Sequence, residues 1–225
     1  MRESVSVDAS AGLAALVGLL AGAAIGPLAD RVATNSPRHD PLLAAVPRSP
    51  RFPLVAAGTA VLGGVSGLVF GATLEAAIAA VFCWILVVVT RTDLEHLLIP
   101  DRVVLPATAV VLVARTLDDP SVVWLAAAAV AAAVFFVFAL VYPRGMGMGD
   151  VKLAGYLGAG LGTAVAVGLF LGVVAALVPA VVILVRHGTA ARKRRIPFGP
   201  FLALGGVIAL FAGDSILGWY LDLGP

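Results

Sequence analysis

Val134-Phe135-Phe136-Val137-Phe138-Ala139-Leu140-Val141-Tyr142-Pro143-Arg144-Gly145-Met146-Gly147-Met148-Gly149-Asp150-Val151-Lys152-Leu153 is the stretch that decides how this chain folds. An apolar run of membrane length ends at Pro143 and Arg144, glycines alternate through a short turn, and apolar sequence resumes after Asp150. The chain leaves a bilayer here and re-enters it within a few residues. A carboxylate left at such a boundary costs a few kcal/mol on insertion scales, so an acid in this place usually has a task.

The rest of the chain repeats the pattern. Of its 225 residues, 61% are hydrophobic and 12% charged, and the mean hydropathy is +1.06. A soluble domain would carry about 25% charged residues. The expected fold is all-α, a polytopic membrane protein with little left for a water-soluble domain. Apolar runs at 10–29, 54–72, 74–90, 103–117, 121–142, 151–162, 163–185 and 199–220 suggest about eight helices. Those at 103–117 and 151–162 fall short of the ~20 residues a bilayer needs. A single bent or re-entrant element near Gly160–Thr163 is the alternative to two helices there. One cysteine, Cys83, inside an apolar run, excludes an intrachain disulfide or a cysteine-based zinc site.

Charge placement orients the scheme. The loops at 30–53, 91–102, 143–152 and 186–198 hold 13 of the 15 basic residues: Arg31, Arg38, Arg48, Arg51, Arg91, Arg102, Arg144, Lys152, Arg186, Arg192, Lys193, Arg194 and Arg195. The opposite loops hold Glu75, Asp118 and Asp119, with Arg115 nearby. By the positive-inside rule these four basic loops face the cytoplasm, and both termini lie outside it. Residues 1–30 lack the basic start of a secretory signal, because Glu3 and Asp8 offset Arg2, so a retained first helix is expected. Gly18, Gly22 and Gly26, like Gly63, Gly67 and Gly71, recur every four residues and suit close helix packing in lipid. The loop at 30–53 has no clear period and is too short for a domain of its own.

The chemistry gathers on the basic side. Asp93 opens Asp93-Leu94-Glu95-His96-Leu97-Leu98-Ile99-Pro100-Asp101 directly after the third span, and Pro100 should end one helix and start the next. Asp150 follows Gly145, Gly147 and Gly149, which allow positive φ and close backbone approach at a helix start. Two carboxylates within reach cannot both ionise easily and tend to share a proton. The ionised one can activate water while the protonated one polarises a peptide carbonyl, with no metal or cofactor. The plainer alternatives are that Asp150 caps a helix and that Asp93 pairs with Arg91. The glycines lack the Lys-Ser/Thr and preceding strand of a phosphate loop. His96 beside Glu95 and Asp101 is more simply a solvated loop histidine than a metal ligand, and His39 and His187 are ordinary loop residues. The cluster Arg192–Arg195 orients its neighbouring helix and attracts anionic lipid. Lys152 either tunes Asp150 or snorkels to phosphates.

Three segments carry a resemblance to the type IV prepilin peptidases, the GxGD membrane aspartyl proteases of bacteria. They are Asp93 to Asp101, with its Ile99-Pro100-Asp101; Gly147-Met148-Gly149-Asp150-Val151-Lys152-Leu153; and Ile196-Pro197-Phe198-Gly199-Pro200-Phe201-Leu202-Ala203-Leu204-Gly205. The resemblance spans about residues 51–210. It implies a multi-pass bacterial inner-membrane enzyme whose substrates are prepilins or pseudopilins, each with a short basic leader ahead of a hydrophobic helix. Cleavage would follow a glycine or similar small residue at the cytoplasmic face. Asp93 and Asp150 would form the catalytic pair, with acid and base unassigned. Asp101, Pro100, Gly147, Gly149 and Lys152 would support it, and Pro197, Phe198, Gly199 and Pro200 would close the site.

The chain also departs from that family. Many members carry two Cys-x-x-Cys pairs in an N-terminal cytoplasmic region and also methylate the new pilin terminus. Here the loop at 30–53 stands in its place without cysteine, and Ala56 replaces the usual acid after Arg51-Phe52-Pro53-Leu54-Val55. A single membrane-embedded peptidase domain over 1–225 is therefore expected, without methyl transfer or S-adenosylmethionine. The partners expected are the substrate's helix and the bilayer, with no nucleic acid. A proton- or ion-coupled transporter is the alternative, though the spans offer Ala, Val, Leu and Gly where a relay needs polar groups. An inactive assembly scaffold is a third reading, which the presence of both aspartates opposes.

Overall fold

A computed structural model describes residues 9–36, 41–43, 49–143, 145–187 and 196–222. Among them the chain forms eight α-helices and no strand: α1 Ala9–Asn35, α2 Phe52–Phe70, α3 Leu74–His96, α4 Asp101–Asp118, α5 Val123–Val141, α6 Met148–Leu161, α7 Val165–His187 and α8 Gly199–Asp222. The all-α expectation holds. Six helical runs are long and apolar enough to cross a membrane. The helix α4 is not among them, because Asp101, Arg102, Arg115 and Asp118 charge its eighteen residues. The pair α6 and α7 counts there as one run, 148–186.

That run nevertheless reverses. Gly162 adopts φ 56° and a 3-10 turn follows over Gly162–Ala164. The first turn of α6 lies beside Ile99, and its end lies against Phe82 and Arg115. On α7, Gly168 meets Ala209 and Gly172 meets Leu202, so this helix heads back toward the start of α8. Fourteen residues of α6 rise only about 21 Å, less than a hydrocarbon core. It tolerates this because it is the bundle's axis. From Val151 to Leu161 every residue except Lys152 is buried.

Packing around α6 is aromatic and aliphatic. Tyr156 stacks on Phe82 with ring centroids 5.0 Å apart and donates its hydroxyl to the Phe82 carbonyl at 3.1 Å. Leu86, Val89, Val104, Val111, Leu153, Leu157 and Leu202 complete this core from α3, α4, α6 and α8. The pair α1 and α2 docks on its flank. Gly18 and Gly63 face each other there, Gly22 lies on Thr59 and Gly67 on Ala14, so close that an added Cβ would collide with backbone. Both glycine stripes thus serve packing, except Gly71, which ends α2 at φ 69°.

Two helix ends differ from the hydropathy reading. The first helix continues through Pro27 to Asn35, which shortens the connection to α2 to 36–51. The third continues past Arg91 to His96, so Asp93 sits in its last turn rather than beyond it. Charge ends a hydropathy run, but a backbone helix continues where its polar side chains find partners. Arg38, His39, Arg48, Arg144 and the cluster at 192–195 lie outside the described residues.

Candidate active site

Four helix ends meet at one place: the last turn of α3 and the first turns of α4, α6 and α8. Leu97, at φ 52°, stops α3, and its N–H donates to the Asp93 carbonyl at 2.9 Å. Pro100 then precedes α4, as expected of a residue that suits a helix start and not an interior. The short link leaves Ile99 buried under the first turn of α6.

Asp93 is buried, with 6% of its surface exposed. Its Oδ2 accepts the Gly199 N–H at 2.8 Å, across 106 residues of sequence. A Cβ on residue 199 would lie 3.0 Å from that same oxygen, so glycine is what lets the backbone come this near. Phe198 stacks on Phe135 at 6.4 Å, tying the segment to α5. The Phe198 carbonyl accepts the N–H groups of Phe201 and Leu202 and starts α8. Pro197 is half-buried just before it, and Pro200 occupies the first turn, where a missing N–H costs nothing.

Asp150 is half-buried at the third position of α6 and reaches back, its Oδ2 accepting the Gly147 N–H at 3.2 Å. The N-cap is Gly147, so the capping alternative is met in a displaced form. None of Gly145, Gly147 and Gly149 adopts a positive φ, and Gly147 has φ −85°. The need for Gly149 is steric instead, since its Cβ would lie 2.9 Å from the Ile99 Cβ.

The two carboxylates are near enough for the charge of Asp93 to act on Asp150. Each has one oxygen held by a glycine N–H from the start of a helix. Neither forms an ion pair among the described residues. Arg91 points elsewhere, to Asp30 at 3.3 Å and Glu95 at 3.2 Å, which removes the alternative of an Arg91–Asp93 pair. Lys152 Nζ donates to Asp101 Oδ2 at 2.6 Å rather than to Asp150, and ties α6 to α4. His96 lies 3.8 Å from Glu95. Backbone Gly199, buried Ile99 and Asp30 enter the site or its surround without having been singled out in the sequence for these contacts. The Pro-Phe-Gly-Pro stretch was the one signal for the first of them.

Two carboxyls on two helix ends, neither in an ion pair among the described residues, are the kind of groups that can pass protons to and from a polarised bond. A model of the type IV leader peptidase family matches residues 80–185, which include both aspartates. The chain is 34% identical over 183 residues to a prepilin leader peptidase/N-methyltransferase of Legionella pneumophila, covering 78% of this chain and 63% of that protein. It is 37% identical to that of Pseudomonas aeruginosa over 181 residues, 76% of this chain and 62% of the relative. With the Bacillus subtilis protein it shares 34% over 180 residues, 76% of this chain and 70% of the relative. The chain thus spans 62–70% of the length of these three relatives. No solved structure matches it significantly.

Proposed function

This chain belongs to the type IV leader peptidase family, and from that premise we propose that it is an aspartic endopeptidase removing the short basic leader of type IV prepilins or pseudopilins. The observation that carries the reading is the pair itself. Asp93 and Asp150 come from different helix ends, the charge of Asp93 acts on Asp150, and neither forms an ion pair among the described residues. One carboxylate takes a proton from water as the oxygen attacks the scissile carbonyl. The other, protonated, hydrogen-bonds the carbonyl oxygen and then helps protonate the leaving amine. Neither step needs a metal or cofactor. The glycine N–H groups hold one oxygen of each acid in place.

In this reading the whole chain is one membrane-embedded peptidase unit, with the aspartates at the cytoplasmic membrane face and both termini on the other side. The substrate's hydrophobic helix lies in the bilayer beside the bundle, and its leader reaches the site from the cytoplasm. Of the two activities named for the relatives we assign the peptidase alone. The connection at 36–51 has no cysteine, and the chain's one cysteine, Cys83, is buried in the core. A transporter reading finds no support, because the central helix offers an apolar surround instead of a polar path.

The test is leader cleavage of co-expressed prepilins in membranes, comparing wild type with Asp93→Asn and Asp150→Asn. Loss of the mass shift in both variants, with the protein still in the membrane, is expected. Cleavage surviving both substitutions would refute the two-acid mechanism.

A further inference from the structure

A second set of charges centres on Arg91, two residues before Asp93. Asp30, five residues before the end of α1, is 2% exposed, and Arg91, on α3, is 5% exposed. Asp30 Oδ1 accepts the Ser49 hydroxyl at 2.5 Å, and Oδ2 accepts the Ser49 N–H at 3.1 Å. Arg91 Nε lies 3.3 Å from Asp30 Oδ1, and Arg91 Nη2 lies 3.2 Å from Glu95 one turn on. Glu95 also faces Arg51 at 3.5 Å, from the residue preceding α2.

The arrangement has a consequence for the aspartate between Arg91 and Glu95. Buried charges at a membrane protein's helix ends are expensive unless each answers another. Here they answer one another across three helices. Asp30 ties Arg91 to α1, and Arg91 ties Glu95 within α3, while the half-exposed Arg51 adds little to Glu95. Asp93 lies within the i, i+4 span of Arg91 and Glu95, on the same turn. The last turn of a helix ordinarily frays, because its final carbonyls lack partners. Anchoring Arg91 to Asp30, with Glu95 held one turn on, opposes that fraying at the turn that carries Asp93, whose Oδ2 accepts the Gly199 N–H. The family model begins at residue 80, so Asp30 and Arg51 lie outside what it matches.

We propose that Asp30, acting through Arg91, is a positioning residue for Asp93, and that the α1–α2 pair is thereby a working part of the active site. The inference rests on the peptidase reading for its catalytic consequence, but its structural half does not. The variants are Asp30→Asn, the charge-preserving Asp30→Glu, and the double variant Asp30→Asn/Arg91→Gln, which leaves no uncompensated buried cation. Each is reconstituted as the full chain in lipid vesicles.

Two readouts follow. Hydrogen exchange by mass spectrometry should show faster exchange over residues 92–99 in the double variant, with α5 and α6 unchanged. On a prepilin that the wild type cleaves, kcat should fall roughly ten- to a hundredfold while KM stays within about twofold, since misplacement of a reacting group by about 1 Å costs rates of that order. Asp30→Glu should recover most of kcat, which a general loss of stability would not predict. Unchanged exchange over 92–99 overturns the proposal, as does a double variant with wild-type kcat. If wild type cleaves no prepilin, the peptidase reading fails, while the exchange result still decides whether Asp30 braces the turn.

Discussion

The two ends of the helix bundle each bury an arginine, and they use it differently. At the end away from the aspartates, Arg115 is 5% exposed and fully engaged. Its Nε donates to the Gly160 carbonyl at 3.2 Å, Nη1 faces Glu75 at 3.5 Å, and the guanidinium lies 4.9 Å from the Trp124 ring centre. One side chain joins the start of α3, the end of α4, the start of α5 and the end of α6. At the aspartate end Arg91 is equally buried, yet its Nε and Nη1 make no hydrogen bond among the described residues. It holds its partners by charge, while Asp93 and Asp150 each accept a backbone glycine N–H. Where the bundle needs only a lock, cation and acceptors cancel. At the aspartate end, Arg91 and Lys152 go to other acids, to Asp30 and Glu95 and to Asp101.

Removing the acids breaks this comparison most directly. Asparagine at 93 or 150 keeps an oxygen to accept the glycine N–H, so the turn survives while the transferable proton is gone. Cleavage should fall by about a thousandfold or more, as expected for a lost general acid or base. Thermal unfolding in detergent should be unchanged or shifted upward, because a charge repulsion has been relieved. A variant that unfolds early would mean that these acids hold the fold together.

Arg115→Met attacks the other end and should show the reverse pattern. It leaves the Gly160 carbonyl without its donor and removes the contact with Trp124, at about 2–4 kcal/mol together. Glu75 is nearly half exposed, so its ion pair adds little. The cost should appear in denaturant unfolding, with kcat of the folded fraction unaltered. A fall in kcat at constant stability would join the two ends functionally and dissolve the contrast between them.

Gly199→Ala acts on the aspartate end by displacement alone. Its new Cβ meets Asp93 Oδ2 at 3.0 Å, so the carboxylate must move by a few tenths of an ångström. Cleavage should drop roughly tenfold, with KM little changed. An alanine variant with full activity would show that the site tolerates such a shift, and the tight approach of α8 would then be packing only.

How much of this was legible follows from which forces act locally. The helices and the two aspartates could be read because apolar length and a turn between apolar runs are local patterns. The Arg115 lock was visible only as an odd basic residue on an otherwise acidic side, and its burial explains the exception to the charge rule. Asp30 read as the start of a loop, since four arginines follow the apolar run; its partner Arg91 is distant in sequence. The Gly199–Asp93 bond, likewise, exists only once α8 has docked. Charges near helix ends were misread for one reason: hydropathy counts a charge as an exit, whereas the folded chain supplies an answering charge.

The smallest effect belongs to Lys152 and Asp101, and it tests how far the aspartate end's special character extends. Their bond at 2.6 Å ties the first turns of α4 and α6 together two residues from Asp150. Both side chains retain contact with water, Asp101 at 54% exposure, so the pair should contribute about 1 kcal/mol or less to stability. Lys152→Met should therefore barely move unfolding and should slow cleavage only about two- to threefold, through a slightly looser α6 start. The exchanged pair Asp101→Lys/Lys152→Asp should recover that loss, because a tether works in either polarity. A lysine acting on the charge of Asp150 would not: the exchange would then deepen the defect, and a loss approaching that of Asp150→Asn would move Lys152 from the frame of the site into its chemistry.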